Sequence, residues 1–250
     1  MTEEQMLNIC SANPTNRYIC QHLDDKTMDM CMDMLLKLDA NDFKEINPDA
    51  EFDFTWLPIP YNKINKGSQA RQTTYSPKVK QEFEKLLNLI NKKGTNKEYS
   101  YMLAGLKEDK ENYTDFSPML IGTNQTVDYD WKRIDIFLKE DLKDINFSIF
   151  HTHPKAIGAE HKTLYNKYKK IFKEFGVKPD GLNLSLSDIY ANQYLDMLCQ
   201  KCGRDDITCE STVLMHDGTL ISFSTKSGVK LTSEQKVELS KEKDEEYELN

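Results

Sequence analysis

The chain has 250 residues, the size of one large domain or of one domain with an extension. Hydrophobic residues make up 38% and charged residues 30%, so a packed core is possible. A mean hydropathy of -0.67 and the lack of a bilayer-length apolar run argue against helical membrane spans. A net charge of -8 argues against nucleic-acid backbone binding, which needs a basic surface.

Residues 1 to about 43 read as helical. Met28, Met30, Met32, Met34, Leu35, Leu36 and Leu38 form a Met-rich apolar stretch that reads as core, or as a surface packed on the next domain. From Ile46 to Ser76, Pro48, Pro58, Pro60 and Gly67 break any periodicity, which predicts a long irregular connection. Phe52, Phe54, Trp56 and Leu57 are expected to pin it to the core. Ser76-Pro77 opens a helix, with Ser76 as N-cap, Val79, Phe83, Leu86, Leu87 and Ile90 as its apolar face, and Gly94 at its end. Strands are expected at Tyr99 to Leu106, about Met119 to Gly122, Ile134 to Leu138 and Ile145 to His153, with an acidic loop over 107–115. Tyr165, Tyr168, Ile171, Phe172 and Phe175 recur at helical spacing before Gly176, and a second helix runs from Leu186 to about Leu198. Ser211 to His216 and Thr219 to Ser224 form a hairpin around Asp217-Gly218, with His216 exposed beside the turn. Thr232 to Tyr247 reads as a final helix. The order of elements predicts an α+β fold, a mixed sheet packed by helices.

The chemistry concentrates in Phe150-His151-Thr152-His153-Pro154 and in Ser185-Leu186-Ser187-Asp188. Alternate residues of a strand share a face. His151 and His153 therefore continue the face of Ile145, Phe147 and Ile149, and Pro154 stops the ladder. Two imidazoles and a carboxylate leave one open position on a tetrahedral zinc, the catalytic pattern of three protein ligands plus water. A base upstream, Glu98, precedes the strand Tyr99-Ser100-Tyr101-Met102-Leu103-Ala104-Gly105, where a glycine lets another backbone approach closely. Ser-x-x-Asp is also a helix-start device, and the two roles are compatible.

These three pieces together resemble the JAMM (MPN-type) zinc metalloprotease family. Its signature is a Glu seven residues before a Gly, then His-x-His-Pro after a strand, then Ser-x-x-Asp opening a helix; Glu98 and Gly105 have that offset. The likeness covers roughly Glu98 to Phe223. It implies an MPN/JAB-like mixed sheet flanked by helices, with residues 1–75 as an N-terminal helical extension and connection and residues 76–250 as the catalytic domain. It implies His151, His153 and Asp188 as zinc ligands, Glu98 as general base and Ser185 as the hydroxyl that steadies the oxyanion. The activity implied is a metalloprotease, a hydrolase of amide bonds acting on a protein or peptide substrate. An isopeptide linkage to ubiquitin or a ubiquitin-like protein leads, which would make it deubiquitinase-like. The chain departs from the family spacing by a helical insertion at about 155–184, which leaves Asp180 and Glu160 as alternative ligands and Ser187 as an alternative hydroxyl.

Competing readings are a bacterial toxin or effector peptidase of the same fold, a non-catalytic MPN-like interaction module, and an unrelated metallohydrolase such as a nuclease. The first residues lack a basic, then apolar, leader pattern, so a cytoplasmic location is the default, with export as an effector or toxin compatible. Of six cysteines, Cys199-x-x-Cys202 with Cys209 offers only part of a structural zinc site; reduced thiols or one disulfide are the plainer readings.

Overall fold

The structure is a computed structural model, and it describes residues 4, 7, 8, 11, 13–39, 54–66, 73–92, 97–123, 126–139, 144–155, 159–207 and 209–239. In chain order the helices are α1 (Pro14–His22), α2 (Asp25–Leu35), α3 (Pro77–Asn91), α4 (Trp131–Lys139), α5 (Ala159–Lys167), α6 (Lys169–Glu174) and α7 (Leu186–Lys201). The strands are β1 (Pro58–Ile59), β2 (Asn65–Lys66), β3 (Thr74–Tyr75), β4 (Tyr99–Leu106), β5 (Asn112–Tyr113), β6 (Asp115–Phe116), β7 (Leu120–Ile121), β8 (Ile145–His153), β9 (Leu184–Ser185), β10 (Glu210–Met215), β11 (Thr219–Ser224) and β12 (Lys230–Lys236).

An eight-stranded mixed sheet runs β2-β12-β11-β10-β8-β4-β6, with β7 pairing beside β6 on β4. Its centre is β8, parallel to β10 on one side and antiparallel to β4 on the other. Tyr101, Leu103, Phe150, Leu214 and Leu220 face α3, whose buried residues are Val79, Phe83, Leu86, Leu87 and Ile90. Ser76 caps that helix with its side chain, as its sequence predicts. Gly94 lies outside the described residues. The opposite face carries Met102, Phe147 and Ile149 against α4 and the later turns of α7, and Val213, Met215, Ile221 and Phe223 against α2 and the start of α7. The helices near the N-terminus therefore share one buried cluster with the sheet: Ile19, Met32, Met34, Phe54, Leu57 and Ile59 are all buried there. Phe52 lies outside the described residues.

Gly105 has the role its position suggests, since a Cβ there would stand 2.1 Å from the Asn112 carbonyl oxygen. The β10–β11 hairpin turns on Gly218, at φ 85.

Several expectations need correction. Residues 134–138 are helical, inside α4, where Ile134 and Leu138 are buried one turn apart. The Asp130 carboxylate accepts from the Arg133 amide at 2.9 Å and starts that helix. The segment after Thr232 continues the sheet as β12, with Leu231 and Ser233 buried in alternation and a register shift at Ser222/Phe223 opposite. Positions 240–250 of the expected final helix lie outside the described residues. Of the helical reading of residues 1–43, the described part holds α1 and α2, separated at Leu23 and Asp24 with Asn13 and Asp24 as N-caps, and helical backbone at Glu4, Leu7, Asn8 and Ser11; positions 40–43 lie outside the described residues. The insertion holds two short helices broken at Tyr168, ending before Gly176 at φ 81. The 107–115 loop contains a single 3-10 turn followed by β5.

No helix among the described residues is long and apolar enough to cross a membrane. Cys31, Cys199, Cys202 and Cys209 carry free thiols, and Cys20 is disulfide-bonded.

At the start of β10, distant from the histidine end of the strands, burial pushes the Glu210 carboxyl up to about 7 from an ordinary 4.5, with Thr73 and Tyr113 hydrogen bonds opposing the rise. The folded state keeps a proton there that the unfolded chain sheds above pH 4.5. The stabilisation from that proton is complete below the unfolded value and is lost as pH climbs through about 7. In denaturant titrations, stability should fall by ~3 kcal/mol from this group between acid and mildly alkaline pH. Glu210→Gln should remove that decline; an unchanged decline in the variant contradicts the assignment.

Candidate metal centre

The centre lies where the C-terminal end of β8 meets the N-terminus of α7. Val213 and Met215 stand beside His151 and His153 in the β8–β10 register, so both imidazoles project to the α7 side. The pattern Phe147, Ile149, His151, His153 on one face is as the alternation predicts. The two Nε2 atoms are 3.0 Å apart. Asp188 Oδ1 is 3.0 Å from His151 Nε2, and Oδ2 is 3.4 Å from His153 Nε2.

The location of Asp188 follows from how α7 begins. Ser185 and Asp188 form a capping box: Ser185 Oγ accepts from the Asp188 amide at 3.2 Å, and the Ser185 amide donates to Asp188 Oδ2 at 2.6 Å. The next two free amides of the helix start also have partners, Leu186 donating to the Leu57 carbonyl at 3.1 Å and Ser187 to the Thr55 carbonyl at 2.6 Å. β1 pairs antiparallel with β9, placing Pro58 opposite Ser185. The irregular connection before α3 therefore straps the helix end that carries Asp188.

The three side chains are nearly closed off from solvent, at 4%, 14% and 11% exposure for His151, His153 and Asp188. Burial alone would raise the Asp188 carboxyl, but the two imidazoles and their hydrogen bonds hold it well below the ordinary carboxylate range. Burial alone would lower His153, yet Asp188 and Glu98, with the Asn183 carbonyl, bring it up to about 9. Glu98 is buried just before β4, in the field of all three residues. Its carboxyl is raised above its ordinary value by burial, only partly offset by His153, His151 and the Val127 amide.

Each imidazole has an outer partner. The Asn183 carbonyl hydrogen-bonds His153, and Tyr129 Oη lies 2.8 Å from His151 Nδ1. Such partners are usual for metal-ligating histidines, because they set ring orientation and tautomer. Burial first, then the charges of Asp188, Glu98 and Asp128, raise the Tyr129 phenol well above its ordinary value, which keeps its hydroxyl protonated. Tyr129 also lines a shallow depression of only about 40 Å³, shared with Ser100, Ser117, Leu120 and Arg133.

The donor set fits a single divalent cation. Ligand atoms about 2.0–2.1 Å from a tetrahedral ion stand about 3.3 Å from one another. Separations of 3.0, 3.0 and 3.4 Å already approach that spacing. His151, His153 and Asp188 are the one group of three or more possible ligands so gathered among the described residues. Of the alternatives, Asp180 is exposed and hydrogen-bonds its own loop at the Leu182 amide, Ser187 is exposed, and the Glu160 side chain lies outside those described. The cysteines of the Cys199 region form no such group among the described residues. His216 is half-buried rather than exposed, its carbonyl accepting from Asn91 Nδ2 at 2.8 Å. The aromatic and apolar residues around Trp56 signalled that the connection packs on the core, as Phe54 and Leu57 do, but not that its carbonyls meet the start of α7; Tyr129 belongs to no motif and had no sequence signal.

No protein-family model, no curated protein and no solved structure matches this chain.

Because Ser185 caps α7, Ser185→Ala should lower the stability of the metal-free protein by about 1 kcal/mol. In thermal melts that is a Tm decrease of roughly 2–4 °C at this chain length. An unchanged Tm would show that the hydroxyl does not hold the helix end.

Proposed function

We propose that this protein is a zinc-dependent peptidase or isopeptidase of the JAMM (MPN) type. The observation that carries the reading is the meeting of His151, His153 and Asp188 at separations suited to one cation, with the buried carboxyl of Glu98 within the field of their charges. The order of Glu98, His151-Thr152-His153-Pro154 and Ser185 to Asp188 along the chain supports it.

His151 and His153 would hold the ion through Nε2, and Asp188 through its carboxylate. Zinc, when bound, supplies Lewis acidity that brings the pKa of water toward about 7 and polarises a carbonyl. Glu98 takes the proton of the attacking water and later delivers it to the leaving amine; its raised affinity for protons suits both transfers. Ser185 Oγ accepts from the Asp188 amide, which leaves the hydroxyl proton free to donate to an oxyanion. The near closure of the triad keeps bulk water out of the reacting volume.

Two histidines and one carboxylate also serve ferrous oxygenases. Glu98 favours hydrolysis, because a buried carboxyl with raised proton affinity has its task in proton transfer. A non-catalytic interaction module of the same fold would have no use for an intact ligand set. Ubiquitin and ubiquitin-like conjugates are the leading substrates, and an effector peptidase acting on other proteins is the close variant.

Zinc-loaded protein should cleave at least one member of a panel of ubiquitin and ubiquitin-like chains, and a chelated control should not. Glu98→Gln should keep zinc at one ion per chain while hydrolysis drops at least about 100-fold. Retained hydrolysis in that variant rejects the role of Glu98, and zinc-free protein with an intact fold points to the interaction module.

A further inference from the structure

The segment between β7 and α4 carries no motif, yet it meets the metal centre twice. The Val127 amide hydrogen-bonds the Glu98 carboxylate, and Tyr129 Oη sits 2.8 Å from His151 Nδ1. The segment is firmly anchored. Ser100 Oγ donates to the Asp128 carbonyl at 2.8 Å, and the Tyr129 amide donates to Asp128 Oδ1 at 2.8 Å. The Trp131 amide donates to the Tyr129 carbonyl at 2.8 Å, and the Trp131 ring meets the Tyr129 ring edge-on at 5.3 Å. Ser100 stands directly opposite His151 in the β4–β8 register, so the anchor of the segment and the ring it touches occupy one rung of the sheet.

A neutral imidazole has one N–H and one lone pair. When the Tyr129 hydroxyl donates to Nδ1, the ring proton sits on Nε2 and points at Asp188 Oδ1, 3.0 Å away. That tautomer cannot give Nε2 to a cation. When Nδ1–H donates to Oη instead, Nε2 turns its lone pair toward Asp188 and His153. A phenol hydroxyl both donates and accepts, so it satisfies Nδ1 in either case. The outer partner of His153 is a backbone carbonyl, which only accepts and so fixes one tautomer.

We infer that Tyr129 is a positioning residue of the metal centre, whose hydroxyl turns from donor to acceptor as the cation binds and holds His151 with Nε2 free for it. The inference rests on the metal-site reading above. The two histidines then have different outer partners: the carbonyl at His153 keeps a proton on its outer nitrogen in every state, and the Tyr129 hydroxyl gives His151 a hydrogen-bonded arrangement both with and without the ion. Without the hydroxyl, a buried Nδ1 is left unpaired in both states.

Tyr129→Phe keeps the ring and its contact with Trp131 and removes only the hydroxyl. Zinc affinity of the full chain, measured by competition with a chromophoric chelator, should weaken 10–100-fold, while circular dichroism stays that of the unaltered protein. Nitrogen shifts of labelled histidines in the zinc-loaded unaltered protein should show His151 protonated at Nδ1 and ligated through Nε2. Equal zinc affinity in the variant, or ligation of His151 through Nδ1, overturns the inference. Zinc binding by the unaltered chain with no loss in Tyr129→Phe rejects Tyr129 alone; no zinc binding by the unaltered chain rejects the metal site as well. The labelled-histidine measurement decides the question even if Tyr129→Phe does not fold.

Discussion

A carboxylate held almost out of water between two imidazoles sets the terms for the rest of this molecule. Burying an ionised group is costly unless it is paired and hydrogen-bonded. Asp188 meets that requirement from both directions. His151 and His153 approach its oxygens from the end of β8, and the Ser185 amide binds Oδ2 from behind. The start of a helix adds a favourable field for a negative charge. Each contribution comes from a different part of the chain, so the arrangement exists only when the sheet, α7 and the strap at residues 55–59 are all in place. Loss of one partner would leave the others with an uncompensated buried charge.

The architecture can be read as the means of bringing these parts together. β8 lies at the centre of the sheet, paired along most of its length on both sides, which makes its end a rigid support for two rings. The carbonyls of Thr55 and Leu57 fill helix-end amides that a bound anion could otherwise occupy, and they tie the connection before α3 to the same point. Phe54, Leu57 and Ile59 anchor that connection in the cluster shared by α1, α2 and the start of α7. The residues ahead of α3 are thereby part of the packing that fixes Asp188. The 126–131 segment meets other members of the site, Val127 at Glu98 and Tyr129 at His151.

Much of the site was legible in the sequence because its residues lie in elements with strong local signals. A period of two carried both histidines to one face of β8, and a capping pattern put Asp188 in the first turn of α7. Insertion of α5 and α6 between these elements did not disturb the meeting, since loop length changes closure entropy slowly. The failures occurred where local signals are ambiguous. Ile134 and Leu138 fit a short strand as readily as one turn of helix, and the choice was made by the Asp130 cap and by packing against α7. The polar segment from Lys230 has weak strand propensity, but pairing with β11 and β2 makes it a strand. Tyr129 could not be found at all, because its role depends on a contact across 22 residues that no spacing rule encodes.

The most direct test is X-ray absorption at the zinc edge on the zinc-loaded full chain, with metal content measured on the same sample. The account predicts one ion per chain in a shell of nitrogen and oxygen alone at about 2.0–2.1 Å, with the outer-ring scattering of two imidazoles. A sulfur shell at about 2.3 Å, which would place the ion on cysteines, or protein that takes up no zinc, would contradict it.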